Sequence, residues 1–130
     1  MTLQACIVVL LGGVVGGICR FLLSGVVGRA VGETFPWGTL AVNVSGALVV
    51  GAFAGTAKSL GGIYASDLLR DFIVIGICGG YTTVSSFALQ TMNLALDGEP
   101  RRAVLNVVGS TILCLVAVTA GFSFAFLVLR

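Results

Sequence analysis

Four long apolar blocks, separated by short polar connectors, restrict the fold of this chain more than any other feature. The blocks cover residues 3–27, 37–57, 68–96 and 103–129. Each can cross a hydrocarbon core of ~30 Å, which takes about 20 helical residues. Because a bilayer interior has no water to satisfy backbone groups, these blocks are expected to be α-helices. The sequence therefore predicts an all-α integral membrane protein, with four transmembrane helices forming a single domain over residues 1–130.

Composition agrees with this class and excludes others. The chain is 58% hydrophobic and 9% charged, whereas about 25% of residues are charged in ordinary globular domains. A net charge of +2 leaves no basic surface for nucleic acid. The sequence has no histidine, its acidic residues all fall in or beside connectors, and no catalytic motif is recognisable. We therefore do not expect an enzyme.

Basic residues are divided evenly between the two sides of the predicted bundle. Arg20 lies inside an apolar block and is set aside. The others are three against three: Arg29, Arg101 and Arg102 on one side, and Lys58, Arg70 and Arg130 on the other. Because a Lys/Arg bias sets orientation, a chain without one is predicted to insert both ways, and we hypothesise a dual-topology, antiparallel homodimer.

Glycines recur at four-residue spacing in three of the blocks. The pairs include Gly12 with Gly16, Gly51 with Gly55, and Gly76 with Gly80. Small residues at this spacing let helices approach closely in a membrane. The spacing alone leaves open whether these contacts are made between subunits or within one.

The segment GGYTTVSSF, residues 79–87, interrupts the third block. Its two glycines weaken a helix, and the β-branched run that follows does not restore it, so we expect a helix break near the middle of this span. Irregular backbone at membrane depth survives where protein buries it or where it lines a cavity, and freed carbonyls can hold a cation. The alternative is a continuous helix whose Ser and Thr side chains bond to the preceding turn.

Several neutral or basic side chains inside the blocks each allow a structural and a functional interpretation. Asn43 is either a hydrogen-bonding contact between helices or a pore-lining amide that donates to an anion. Arg20 either reaches the headgroups or lines a vestibule that attracts anions. The residues Asn106, Ser110 and Cys114 form one stripe of the fourth helix, as a packing contact or as an ion track.

Three motifs in order resemble a known family. GGVVGGICRFLLS, FPWGTLAVNVSGALVVG and GICGGYTTVSSF, within four short helices, are similar to the CrcB/Fluc fluoride channel family over nearly the whole chain. The resemblance implies a passive channel that exports fluoride across the inner (plasma) membrane and so reduces its toxicity. It also implies an antiparallel homodimer with two pores and a structural Na⁺ at its centre, held by the backbone carbonyls of Gly79 and Thr82.

The resemblance also implies a fluoride path, formed by Asn43, Thr83, Ser86, Phe87 and Ser110, with Arg20 in the vestibule. Phe87 matches the second of two aromatics that present positive ring edges to the anion. The first is absent, because Val84 stands where the family usually has phenylalanine. Asn106 and Cys114 stand where a tyrosine and a second hydroxyl are often found, and Cys114 would be a weak donor.

Two functions other than a fluoride channel are compatible with four short spans. A small multidrug-resistance-type exporter also has four helices, but proton-coupled exchange of cationic drugs needs a membrane-embedded carboxylate, and no block carries one near its middle. A structural membrane subunit without transport is a third reading. The sequence leaves open the conduction rate, whether Tyr81 or a partner side chain compensates for Val84, and whether a paralogous subunit replaces the homodimer.

Overall fold

In a computed structural model, which describes residues 2–130, the chain is helical apart from short connectors. Four helical spans are long and apolar enough to cross a membrane: Leu3–Val31, Trp37–Leu60, Asp67–Leu96 and Pro100–Val128. The predicted all-α membrane fold is therefore confirmed. We name the first two spans α1 and α2. The third is divided into α3, residues 67–81, and α4, Val84–Leu96, and the last span is α5.

The helix ends extend into the polar connectors that bounded the predicted blocks. Helix α1 continues past Arg29 to Val31, where Gly32 takes a φ of 100° and ends it. Arg29 lies in the last turn, where a cation interacts favourably with the helix dipole. Helix α5 begins at Pro100, because proline suits the first helical position, which has no need of its N–H. A short 3₁₀ turn, Gly62–Ala65, connects α2 to α3.

Glycines bring α1 against α3 and α2 against α5 within one subunit. A Cβ placed on Gly80 would lie 2.5 Å from the Gly13 carbonyl oxygen, and one on Gly12 would lie 2.9 Å from Gly76 Cα. A Cβ on Gly55 would lie 2.5 Å from the Phe122 carbonyl oxygen. Intrasubunit packing therefore accounts for these glycines, and they do not by themselves indicate an oligomer. In lipid, such close backbone approach replaces the hydrophobic drive that packs helices in water.

The third span, Asp67–Leu96, departs from a regular α-helix in its first half. Residues Asp71–Cys78 form a π-helix, which the sequence did not predict, and the α-helical turn Gly79–Tyr81 follows. Thr82 and Thr83 are then extended, with ψ angles of 161° and 122°, before α4 begins at Val84. The break is therefore present at the GGYTT motif. The alternative of a continuous helix is wrong, although Thr82 Oγ1 does donate to the Cys78 carbonyl at 2.9 Å.

Candidate functional site

The helix break is bonded to the middle of α2 by one side chain. Asn43 Nδ2 donates to the Thr83 carbonyl oxygen at 2.9 Å, and the Thr83 backbone N–H donates to Asn43 Oδ1 at 2.8 Å. An extended residue at this depth cannot leave its backbone groups unpaired without a large penalty. Asn43 is thus an interhelical contact in this structure. This bond uses one of its two amide protons, so the other is available to a ligand.

Two carbonyls at the break lose their helical donors for identifiable reasons. In a continuous α-helix the N–H of residue i+4 would bond to each carbonyl. The Thr83 N–H that would reach Gly79 donates to Asn43 instead, and the Ser86 N–H that would reach Thr82 donates to Thr83 Oγ1 at 3.2 Å. Within residues 2–130, no backbone N–H bonds to either oxygen. Both are the carbonyls predicted for Na⁺, and neutral oxygen atoms without backbone donors suit a hard monovalent cation.

Four of the residues predicted for the anion path line one pocket. Asn43, Thr83, Phe87 and Ser110 surround a space of about 460 Å³ between α2, the break, α4 and α5. Thr83 and Ser110 are each 7% exposed, so their hydroxyls belong to the interior. The pocket walls are otherwise mainly apolar, and Val84 and Cys114 also contribute to them. A small number of precisely positioned hydrogen-bond donors in an apolar pocket is typical of a site that selects its ligand by geometry.

Arg20 and Ser86 lie on the other side of the break. Both line a smaller pocket of about 190 Å³ together with Thr39 and Thr83, so Thr83 borders both spaces. Arg20 Nη1 is 3.4 Å from the Thr82 carbonyl oxygen, to which it donates. The guanidinium therefore points at the break. The interpretation that Arg20 reaches the headgroups does not describe this structure. A pocket of about 570 Å³, lined by Arg29, Glu33 and Ser86 among others, lies next to it and shares several lining residues.

Val84 lies on the outside of the subunit, with 78% of its surface exposed. Tyr81 does not take its place. The Tyr81 hydroxyl is 2.7 Å from Ser45 Oγ, and a Cβ on Gly46 would lie 3.2 Å from the Tyr81 ring. Tyr81 therefore packs against α2. Its ring does not replace the phenylalanine that the family resemblance predicts at position 84.

Sequence reasoning missed Thr91 and Gln90. Thr91 Oγ1 donates to the Phe87 carbonyl at 2.7 Å and accepts from Asn106 Nδ2 at 2.8 Å, which joins α4 to α5 beside the pocket. Gln90 lines the pocket of about 570 Å³ next to Arg29, and its buried Oε1 has no hydrogen-bond partner among the residues described. A helical continuation of the hydroxyl pattern, Thr83 followed by positions 87 and 91, would have revealed Thr91, because residues four apart share a helix face.

The fold and site define a class: a small four-span membrane protein with a broken third span and a pocket of neutral donors beside the break. The chain also matches the family described as "CrcB-like protein, Camphor Resistance (CrcB)" over residues 7–122. It is 57% identical over 122 residues, 94% of this chain and 92% of the relative, to "Fluoride-specific ion channel FluC 4" of Brucella abortus biovar 1 (strain 9-941).

Two other relatives are also named as fluoride-specific ion channels. "Fluoride-specific ion channel FluC 2" of Rhodopseudomonas palustris (strain BisB18) is 54% identical, with 95% of this chain and 94% of the relative covered. "Fluoride-specific ion channel FluC" of Opitutus terrae (strain DSM 11246 / JCM 15787 / PB90-1) is 52% identical, with 85% and 84% covered. The chain therefore belongs to the CrcB-like family.

The Asn43 contact predicts a change in backbone protection at the break. In Asn43→Ala, the Thr83 amide loses its acceptor, and we expect exchange of amide hydrogens in residues 79–87 to become about tenfold faster, the effect of losing one hydrogen bond. Hydrogen–deuterium exchange of the detergent-solubilised protein, followed by mass spectrometry, measures this. Thr56→Val is the control, because Thr56 on α2 bonds only to the Ala52 carbonyl of its own helix. Equal exchange in wild type and Asn43→Ala would contradict the role given to Asn43.

Proposed function

We propose that this chain is a fluoride-selective passive ion channel that exports fluoride from the cytoplasm. The observation that carries the proposal is the shared pocket of Asn43, Thr83, Phe87 and Ser110 beside the broken span, in a chain that belongs to the CrcB-like family. Amide and hydroxyl protons and the positive edge of a phenyl ring can each replace part of the hydration shell of a small anion. None of these groups carries a charge that would hold the anion too tightly to leave.

Passive export needs no coupled energy source. Hydrogen fluoride crosses membranes uncharged and dissociates inside a less acidic cytoplasm, so fluoride accumulates there. An inside-negative potential drives an anion outward with about 2.3 kcal/mol per charge per 100 mV. A selective pore in the inner (plasma) membrane is therefore sufficient to reduce fluoride toxicity. Arg20, at the break and beside Thr83, would raise the anion concentration at the mouth of this pore.

The proposed functional unit is an antiparallel homodimer. Val84 and Leu115, which line the pocket, are 78% and 60% exposed, so the pocket opens on the outer surface of the subunit. Polar groups that face hydrocarbon at this depth are unfavourable, and a second copy of the chain would cover them. The three-to-three division of basic residues supports opposite orientations of the two copies.

A structural Na⁺ is proposed at the dimer centre. The Gly79 and Thr82 carbonyls would hold it, because both have lost their helical donors and Gly79 is exposed on the subunit surface. When bound, the ion would neutralise the negative ends of these carbonyl dipoles where two broken helices meet. A partner subunit would supply the remaining ligands by symmetry.

The exporter alternative finds no support in the structure. Among the described residues, the carboxylates closest to a span's interior are Asp67 and Asp71, which lie at the start of the third span. Arg70 contacts them at 3.1 Å and 3.5 Å, respectively. A carboxylate that is paired near the membrane surface does not serve as a proton-coupled site for cations at mid-membrane.

Fluoride efflux from proteoliposomes tests the proposed function. We expect the wild type to release fluoride under a K⁺ diffusion potential and to release chloride at the rate of protein-free liposomes. Ser110→Ala should lower fluoride efflux about tenfold, the equivalent of one hydrogen bond to a charged ligand, with ion-selective electrodes as the readout. Thr119→Val is the control, because Thr119 is exposed and bonds only to its own helix. No fluoride efflux from folded wild type would refute the proposal and favour a subunit without transport.

Dual topology predicts that reporters on the C-terminus are active on both sides of the membrane. A green fluorescent protein fusion should fluoresce and an alkaline phosphatase fusion should also be active, since each reports one compartment. Replacing Arg101 and Arg102 by alanine leaves one basic residue against three, so the C-terminus should move to the cytoplasmic side. The opposite shift is expected for Lys58→Ala with Arg70→Ala. A single orientation of the unmodified chain would contradict dual topology.

Sodium binding predicts an ion-specific gain in stability. Because a ligand that binds only the folded state stabilises it by mass action, the thermal midpoint of the purified protein should rise with Na⁺ concentration. It should not rise with N-methylglucamine at the same ionic strength, since this cation is too large for a carbonyl site. The same dependence on both cations would show that Na⁺ has no specific site.

A further inference from the structure

Ser110 differs from three threonines of α4 and α5 that bond to their own helix backbone. Thr91, Thr111 and Thr119 each donate to the carbonyl four residues earlier, at 2.7–2.9 Å, as hydroxyls inside helices commonly do. Ser110 instead donates to the side-chain oxygen of Asn106, Oδ1, at 3.3 Å. Its proton is therefore held in a longer bond than any of these back-bonds.

The orientation of the Asn106 amide follows from its other partner. The single proton of Thr91 goes to the Phe87 carbonyl at 2.7 Å, so Thr91 Oγ1 accepts from the Asn106 NH₂ group at 2.8 Å. The amide oxygen must then face Ser110, because an amide presents its donor and acceptor on opposite sides. Asn106 is 2% exposed, so neither water nor lipid competes for these groups.

We infer that Asn106 is a positioning residue for fluoride transport: its amide oxygen diverts the Ser110 hydroxyl from the helix backbone and keeps its proton available to an anion in the pocket. Ser110 lines that pocket together with Asn43 and Phe87. When an anion enters, the hydroxyl turns from Asn106 Oδ1 to the anion, and it returns when the anion leaves. No covalent bond changes and no proton is transferred.

Removing the amide oxygen has a defined consequence. Without it, Ser110 donates to the backbone carbonyl of residue 106, as its hydroxyl neighbours do with theirs, and that shorter bond competes better with the anion. This inference rests on the proposed function, since it concerns the same pocket. A purely structural Asn106 would affect folding and packing but would have no particular dependence on the Ser110 hydroxyl.

A double-mutant cycle in proteoliposomes tests the inference through fluoride efflux. The proteins are wild type, Asn106→Leu, Ser110→Ala and the double variant, each reconstituted from the folded peak in size exclusion. We expect Asn106→Leu to lower efflux about tenfold in the wild-type background and to change it by less than about twofold when Ser110 is already alanine. Thr119→Val on the same helix is the control, with unchanged efflux.

A second cycle keeps the test decisive if Asn106→Leu does not fold. Thr91→Val removes the acceptor that fixes the amide, and it should lower efflux about threefold with Ser110 present and leave it unchanged with Ser110→Ala. The same fold loss in both Ser110 backgrounds would overturn the inference and leave Asn106 a packing residue. Unchanged efflux in Asn106→Leu would also overturn it, while the function stands. Absence of fluoride efflux from wild type would refute both.

Discussion

The pair of hydrogen bonds between the Asn43 amide and the Thr83 backbone is the interaction on which the site depends. These bonds, at 2.9 Å and 2.8 Å, satisfy an extended residue at membrane depth, where water is absent. By taking the Thr83 N–H, Asn43 releases the Gly79 carbonyl. Because Thr83 is no longer helical, its hydroxyl can cap α4 through the Ser86 N–H, and this releases the Thr82 carbonyl. One side chain on α2 thereby leaves both carbonyls without a backbone donor, and it sets the start of the helix that carries Phe87.

Close glycine packing makes this interruption tolerable. Gly80 lies in the helical turn before the extended residues, and a Cβ there would meet the Gly13 backbone at 2.5 Å. Helix α1 thus covers the last helical turn of α3 along a surface without side chains, which shields its backbone from lipid. The methyl of Thr82 packs against Gly46 in the same way. The break is consequently held by protein on two sides, as irregular backbone in a membrane requires.

The parts of this architecture that the sequence predicted are those with a local cause. The length and apolar content of each block can be read from consecutive residues, and they predicted the four spans. The double glycine, also a local feature, predicted the break at GGYTT. The π-helical stretch Asp71–Cys78 did not, because its wide turns carry no distinctive residue pattern. The partner of Asn43 lies 40 residues away, and its choice depends on the relative rotation of two helices. The direction of Arg20 and the link from Thr91 to Asn106 depend on the same tertiary register.

Val84 changes how an anion would be held along the proposed path. A phenyl ring at this position would offer a positive edge that needs no particular hydrogen direction, whereas valine offers no donor at all. The coordination of fluoride in this subunit would then depend more on Asn43, Thr83 and Ser110. The two hydroxyl protons and one of the two Asn43 amide protons have other partners in the resting structure. Each of those partners competes with the anion, so the strength of each competing bond sets how readily a proton is given up. The longest competing bond that involves a pocket donor, 3.3 Å, is the one between Ser110 and Asn106. In a path that lacks one ring edge, buried neighbours that control the direction of a hydroxyl would supply part of the selectivity that the ring would otherwise give.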